Sequence, residues 1–92
     1  MMYPYITLAD DTLITHSHLL GDEDKRSVEV HFERPKAYGF DMARCVLPSY
    51  QWVIRDGYTD DEIALFEQLL KANAHTFFKY AAVGGMNIAK AV

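Results

Sequence analysis

The 92-residue chain has a single cysteine, three prolines, no basic cluster and no apolar run long enough to cross a bilayer. One thiol cannot close an internal disulfide. Cys45 sits in the apolar stretch from Ala43 to Leu47, which points to a buried, reduced side chain in a cytoplasmic protein. A net charge of −4 without a Lys/Arg run disfavours nucleic acid as a partner, because phosphate contacts supply most of that affinity. The start, Met1-Met2-Tyr3-Pro4, has no basic segment followed by an apolar one. With no spanning stretch either, the expectation is a soluble protein without a membrane partner. Repeats, low-complexity tracts and internal linkers are also missing, so residues 1–92 read as one domain. Against these absences, half of the residues are hydrophobic and 13% are aromatic. So small a chain buries only about 60–65% of its unfolded surface, which leaves apolar area for a partner or a second copy to cover.

Period-two alternation organises the first half. Tyr3 to Ala9 reads as a strand that is either an edge or begins pairing only after Pro4, which lacks the amide a ladder needs. Asp10-Asp11 is a turn. Leu13 to Leu20 and Ser27 to Arg34 then read as a hairpin around the polar segment Gly21 to Arg26. Symmetric closure sets His16 opposite His31 and His18 opposite Glu29. This register puts Ile6, Leu8, Leu13, Thr15, Leu19, Val28, Val30 and Phe32 on an inner face. It leaves Tyr3, Tyr5, Thr7, Ile14, His16, His18, Glu29, His31 and Glu33 outside. Asp41 to Leu47 is a fourth strand with Ala43, Cys45 and Leu47 inward, and Met42, Arg44 and Val46 outward near His31 and the glutamates.

After Pro48 two readings compete. Ser49 as a cap with Tyr50, Val53 and Ile54 at helical spacing favours a short helix over residues 49–55, whereas alternation of Tyr50, Trp52 and Ile54 would make a strand. The short helix is the preferred reading. Thr59-Asp60-Asp61-Glu62 is a capping box, flanked by Tyr58 and Ile63 as a hydrophobic staple. The apolar stripe Ile63, Phe66, Leu70, Ala74, Phe77, Ala81 carries a helix to about Val83, where Gly84-Gly85 stops it. The tail from Met86 to Val92 has no strong signal. The fold class is therefore α+β: a three- or four-stranded antiparallel meander, a short helix, and a long C-terminal helix packed on one sheet face.

Chemistry could reside on the outer face. His16, His18, His31 and Glu29 would supply imidazoles and a carboxylate for zinc, with an open position for activated water. Tyr5, His16, Glu29, His31 and Arg44 could instead serve as acid, base and phosphate-stabilising groups of a metal-free nuclease. The simpler account is that an open sheet face must be polar and its histidines need no ligand. Tyr3, Tyr5, Arg44 and Phe78 would then belong to an interaction surface, as tyrosine and arginine are enriched at interface cores. Trp52 would be a core residue or an anchor, and His75 an exposed residue.

The strand Ser27-Val28-Glu29-Val30-His31-Phe32-Glu33-Arg34-Pro35 followed by Asp56-Gly57-Tyr58-Thr59-Asp60-Asp61-Glu62 and on to Asn73 resembles a family of small bacterial proteins, domain of unknown function 4160. The resemblance covers the middle and C-terminal two-thirds. Ser27-Val28-Glu29 stands where the family usually has Pro-Pro-His, and only His31 matches its histidine pattern. It implies a small partner-binding protein, with an association with toxin–antitoxin pairs suggested for the family, and it brings no catalytic residues. The leading expectation is a non-enzymatic interaction module, either a homodimer or one member of a two-protein pair. A zinc-binding module or small metal-dependent hydrolase is the alternative.

Overall fold

A computed structural model describes residues 1–86. The elements are β1 (Tyr3–Thr7), β2 (Leu13–His16), β3 (Val28–Lys36), β4 (Gly39–Leu47), β5 (Gln51–Asp56) and α1 (Asp60–Val83). The strands form one antiparallel meander in the order β1-β2-β3-β4-β5, and α1 packs across one face. The architecture is α+β, as expected, but with five strands and one helix among the described residues.

The expected short helix at 49–55 is a strand instead. Val46 pairs with Gln51, Cys45 with Trp52 and Arg44 with Ile54, with a register shift at Val53. The local spacing of Tyr50, Val53 and Ile54 suits a helix. However, β4 is buried on its inner face and needs a partner for its second edge, and Trp, Val and Ile are good strand formers. Tertiary pairing outweighs the weak local preference. The shift at Val53 leaves Trp52 on the helix side, where its Nε1 donates to Glu67 Oε1 at 3.0 Å, and puts Ile54 on the opposite face beside Arg44.

α1 matches its sequence signals. Thr59 takes the Glu62 amide on its hydroxyl at 3.2 Å, and the Glu62 carboxylate takes the Thr59 amide at 2.9 Å. Gly84 ends the helix in the left-handed conformation at φ 78°. The buried face of α1 is Ile63, Phe66, Leu70, Phe77 and Ala81. It closes over Val28, Val30 and Phe32 of β3 and Ala43, Cys45 and Leu47 of β4, all fully buried. These two central strands have the inward parity that their alternation predicts.

β2 does not. Its inward residues are Ile14 and His16, both fully buried, while Leu13 is 40% exposed. The turn-proximal pair Leu20 and Ser27 keeps the symmetric register, but His16 pairs with Val30 and Thr15 with His31. One residue is absorbed between them, in the segment Ser17 to Leu19. There the Glu29 amide donates to the Ser17 hydroxyl at 3.0 Å rather than to its carbonyl, and the Ser17 carbonyl accepts from His16 Nδ1 at 2.8 Å. A slip of one residue reverses every side chain upstream of it. β1 follows: Tyr3 pairs with His16, and a bulge at Tyr5 interrupts the ladder. Tyr3 and Tyr5 therefore lie on the helix side with His16. Ile6, Leu13 and Thr15 do not join the buried core, whereas Thr12 does, sharing a hydrogen bond with the Tyr58 hydroxyl at 3.1 Å.

Candidate functional site

The four residues read as zinc ligands are not assembled. His16 sits on the covered face, its ring centroid 5.7 Å from that of Tyr3 and 6.0 Å from that of Phe77. Its Nε2 is buried with no hydrogen-bond partner. His18 lies beyond the end of β2 and is exposed. Only Glu29 and His31 adjoin, on the uncovered face, with His31 Nε2 3.0 Å from Glu29 Oε1. Among the described residues, no group of three or more His, Cys, Asp or Glu side chains is placed to hold a metal ion. The nuclease set divides in the same way: Tyr5 and His16 are on one face, and Glu29, His31 and Arg44 on the other. Arg44 lies directly across from His31, and its Nε is 3.6 Å from Glu29 Oε1, as the β4 parity predicts.

The residues expected to form an interaction surface also separate. Tyr5 packs on Phe77 with centroids 4.3 Å apart and donates its hydroxyl to Asn73 Oδ1 at 2.8 Å. Tyr3 lies against His16, and Phe78 is half-buried at the edge of the core. Arg44 alone keeps its place on the open face. Register puts Leu13, Thr15, Glu29, His31, Glu33, Met42, Arg44, Val46 and Ile54 together there, with Phe40 at the β3–β4 tip, 58% exposed. The Glu29–His31–Arg44 line is thus bordered by aliphatic side chains, most of them only half-buried.

Sequence reading missed the charged cluster at the other end of the covered face. Arg34 and Asp41 are partners across β3 and β4, each two residues on from the core positions Phe32 and Ala43. The same alternation that finds the core would have carried it to them. Arg34 Nη2 is 2.6 Å from Asp41 Oδ2, and its Nη1 reaches Glu62 Oε2 at 2.6 Å and Asp10 Oδ2 at 3.0 Å. Its guanidinium lies over the Tyr58 ring, 4.6 Å from the centroid. Lys36 adds a second cation to Asp41. One side chain thereby ties the β1–β2 loop, β3, β4 and the first turn of α1.

The titration of these groups follows from their partners. Arg34, with help from the Thr59 amide, holds the Glu62 carboxyl below its ordinary range. Lys36 and then Arg34 hold Asp41 low in spite of burial. At Asp10 the upward push of burial is outweighed by Thr12 and Arg34, and the net direction is down. Carboxyls that ionise more readily when folded stabilise the fold fully above their unfolded value of about 4, and that contribution is lost as pH falls through the lower folded values. Urea midpoints are therefore expected to drop on acidification below about pH 4, and to drop less steeply in Arg34→Gln, which starts from a lower midpoint at neutral pH. Parallel acid profiles for the two proteins would show that Arg34 is not the source.

Burial, with the nearby Glu67 charge, pushes the Cys45 thiol up to about 11. It is a thiol at neutral pH and packs as a small apolar side chain. No helix among the described residues is long and apolar enough to cross a membrane. No protein-family model, curated protein or solved structure matches the chain.

Proposed function

We propose that the protein is a non-enzymatic interaction module that presents the uncovered face of its sheet to a second copy of itself or to a partner protein. The observation that carries this reading is the composition of that face. Leu13, Phe40, Met42, Val46 and Ile54 border a short ionic line, and no element among the described residues lies over them. A sheet can leave one face in water, but such a face is normally polar. Apolar side chains gathered on an uncovered sheet face mark a contact site.

Sedimentation velocity at micromolar concentration, paired with affinity capture and mass spectrometry, tests it. A dimer, or a stoichiometric partner, is expected, and Leu13→Lys combined with Ile54→Lys should abolish the association while leaving the circular dichroism spectrum unchanged. A strict monomer that captures no partner overturns the proposal, as does an association that survives the double substitution.

A second reading rests on the 3.0 Å contact between His31 and Glu29 beside Arg44. A carboxylate-oriented imidazole next to a guanidinium is a minimal acid–base and phosphate-stabilising set. It predicts RNA cleavage that is lost in both His31→Gln and Arg44→Gln. Cleavage unaffected by either substitution would remove it.

A further inference from the structure

Between the β1–β2 loop and the N-terminal half of α1 lies a groove of about 320 Å³, lined by Leu8, Ala9, Leu65, Phe66 and Leu69, with Asp10 and Glu62 at its rim. That volume falls at the lower end of the range for binding pockets, about 300–1,000 Å³. Leu65 is 62% exposed, so the groove has an open apolar wall. From the structure we infer that this groove is a docking site for a cationic amphipathic segment of a partner protein.

Charge selects the occupant. The groove carries carboxylates from two elements at its rim, Asp10 of the loop and Glu62 of the first helical turn, and Asp61 lies one turn before Leu65 on α1. The nearby cations among the described residues are already engaged: Arg34 by Asp10, Asp41 and Glu62, Lys36 by Asp41, and Arg55 by Asp60. Asp11 and Asp61 have no ion-pair partner among the described residues. Asp61, Leu65 and Leu69 follow one another at intervals of four on α1, so an unpaired carboxylate and the apolar wall share one stripe of the helix. An incoming amphipathic helix with aliphatic side chains on one face and Lys or Arg flanking them would fill the groove and neutralise its rim. A second copy fits poorly, because packing two such ends together opposes carboxylate to carboxylate.

The inference rests on the interaction-module reading but uses a different surface, so the two can fail separately. The probe is a short fluorescein-labelled Leu/Lys peptide of helical amphipathic pattern, compared with its Leu/Glu counterpart and with a scrambled Leu/Lys peptide of the same charge. Anisotropy should show binding of the patterned Leu/Lys peptide alone, weakened by salt. Backbone amide shifts should centre on Leu8, Ala9, Asp61, Leu65 and Leu69. Leu65→Gln and Asp61→Asn, both at exposed positions, should each weaken binding by about tenfold, whereas Leu13→Lys should not affect it. Equal binding of the scrambled or Leu/Glu peptide overturns the inference. So do shifts centred on the open sheet face, unchanged affinity in both groove variants, or a change of oligomeric state in Leu65→Gln, which would assign the groove to a second copy.

Discussion

Phe32→Ala is expected to lower the unfolding free energy by about 3–5 kcal/mol. Phe32 is the largest fully buried side chain of the central strand. Its ring stacks on Phe66 of α1 with centroids 4.2 Å apart and planes 11° from parallel, and lies 5.7 Å from Trp52 of β5. The substitution removes the transfer energy of the ring and leaves a cavity that its packed neighbours on α1 and β5 can only partly fill. Aromatic pairs add about 0.5–1.5 kcal/mol beyond area. Small domains are stable by about 5–15 kcal/mol in total, so this one change should bring the protein close to unfolding at room temperature. Guanidinium titration followed by Trp52 fluorescence measures it. A loss below about 1 kcal/mol would mean that helix and sheet are not coupled through this ring.

Gly57→Ala is expected to cost at least as much as its backbone strain, about 1–3 kcal/mol, and to dismantle the ionic cluster as well. Gly57 has φ 92°, a conformation that a residue with a Cβ resists. It also lies directly against the Asp41 carboxylate, so that an added methyl would collide with it. Asp41 would have to move away from Arg34 and Lys36. Gly39 offers an internal control. Its φ is 105°, but a Cβ there meets nothing within 4 Å. Gly39→Ala should show the strain alone. The difference between the two variants reports the displacement of Asp41, and it should shrink at acid pH, where the carboxyl no longer ionises. Equal losses in both variants at neutral pH would show that Asp41 accommodates the methyl without cost.

The elements legible in the sequence are those whose signals are local. The capping box at Thr59 and the glycine stop at Gly84 bound α1 because each bond involves residues a few positions apart. The inward parity of β3 and β4 follows from long, unbroken alternation, and on the open face it brings His31, Glu29 and Arg44 together as expected. The candidate metal set fared differently because it depended on the phase of β2 relative to β3. That phase turns on one residue in Ser17 to Leu19, where a hydroxyl takes the place of a carbonyl in the ladder. Nothing in the residues between Leu13 and Gly21 announces the slip, yet it carries His16 into the core and exposes Leu13.

The strand at residues 51–56 and the Arg34 cluster show the same division. Gln51 to Asp56 has patterns for both helix and strand, and the free edge of β4 decides between them. Arg34 is one of several charges along an alternating strand. Only when the chain folds does it meet Asp10, Asp41 and Glu62, which come from three other segments. The sequence by itself thus determined the long helix, the two central strands and their buried faces, since short-range hydrogen bonds and simple periodicity suffice for them. The tertiary structure alone decided the register of β2, the strand character of β5, which histidines share a face, and the groove beside α1. Each depends on which distant backbone edge or charge a segment meets, and local chemistry leaves those alternatives nearly equal in energy.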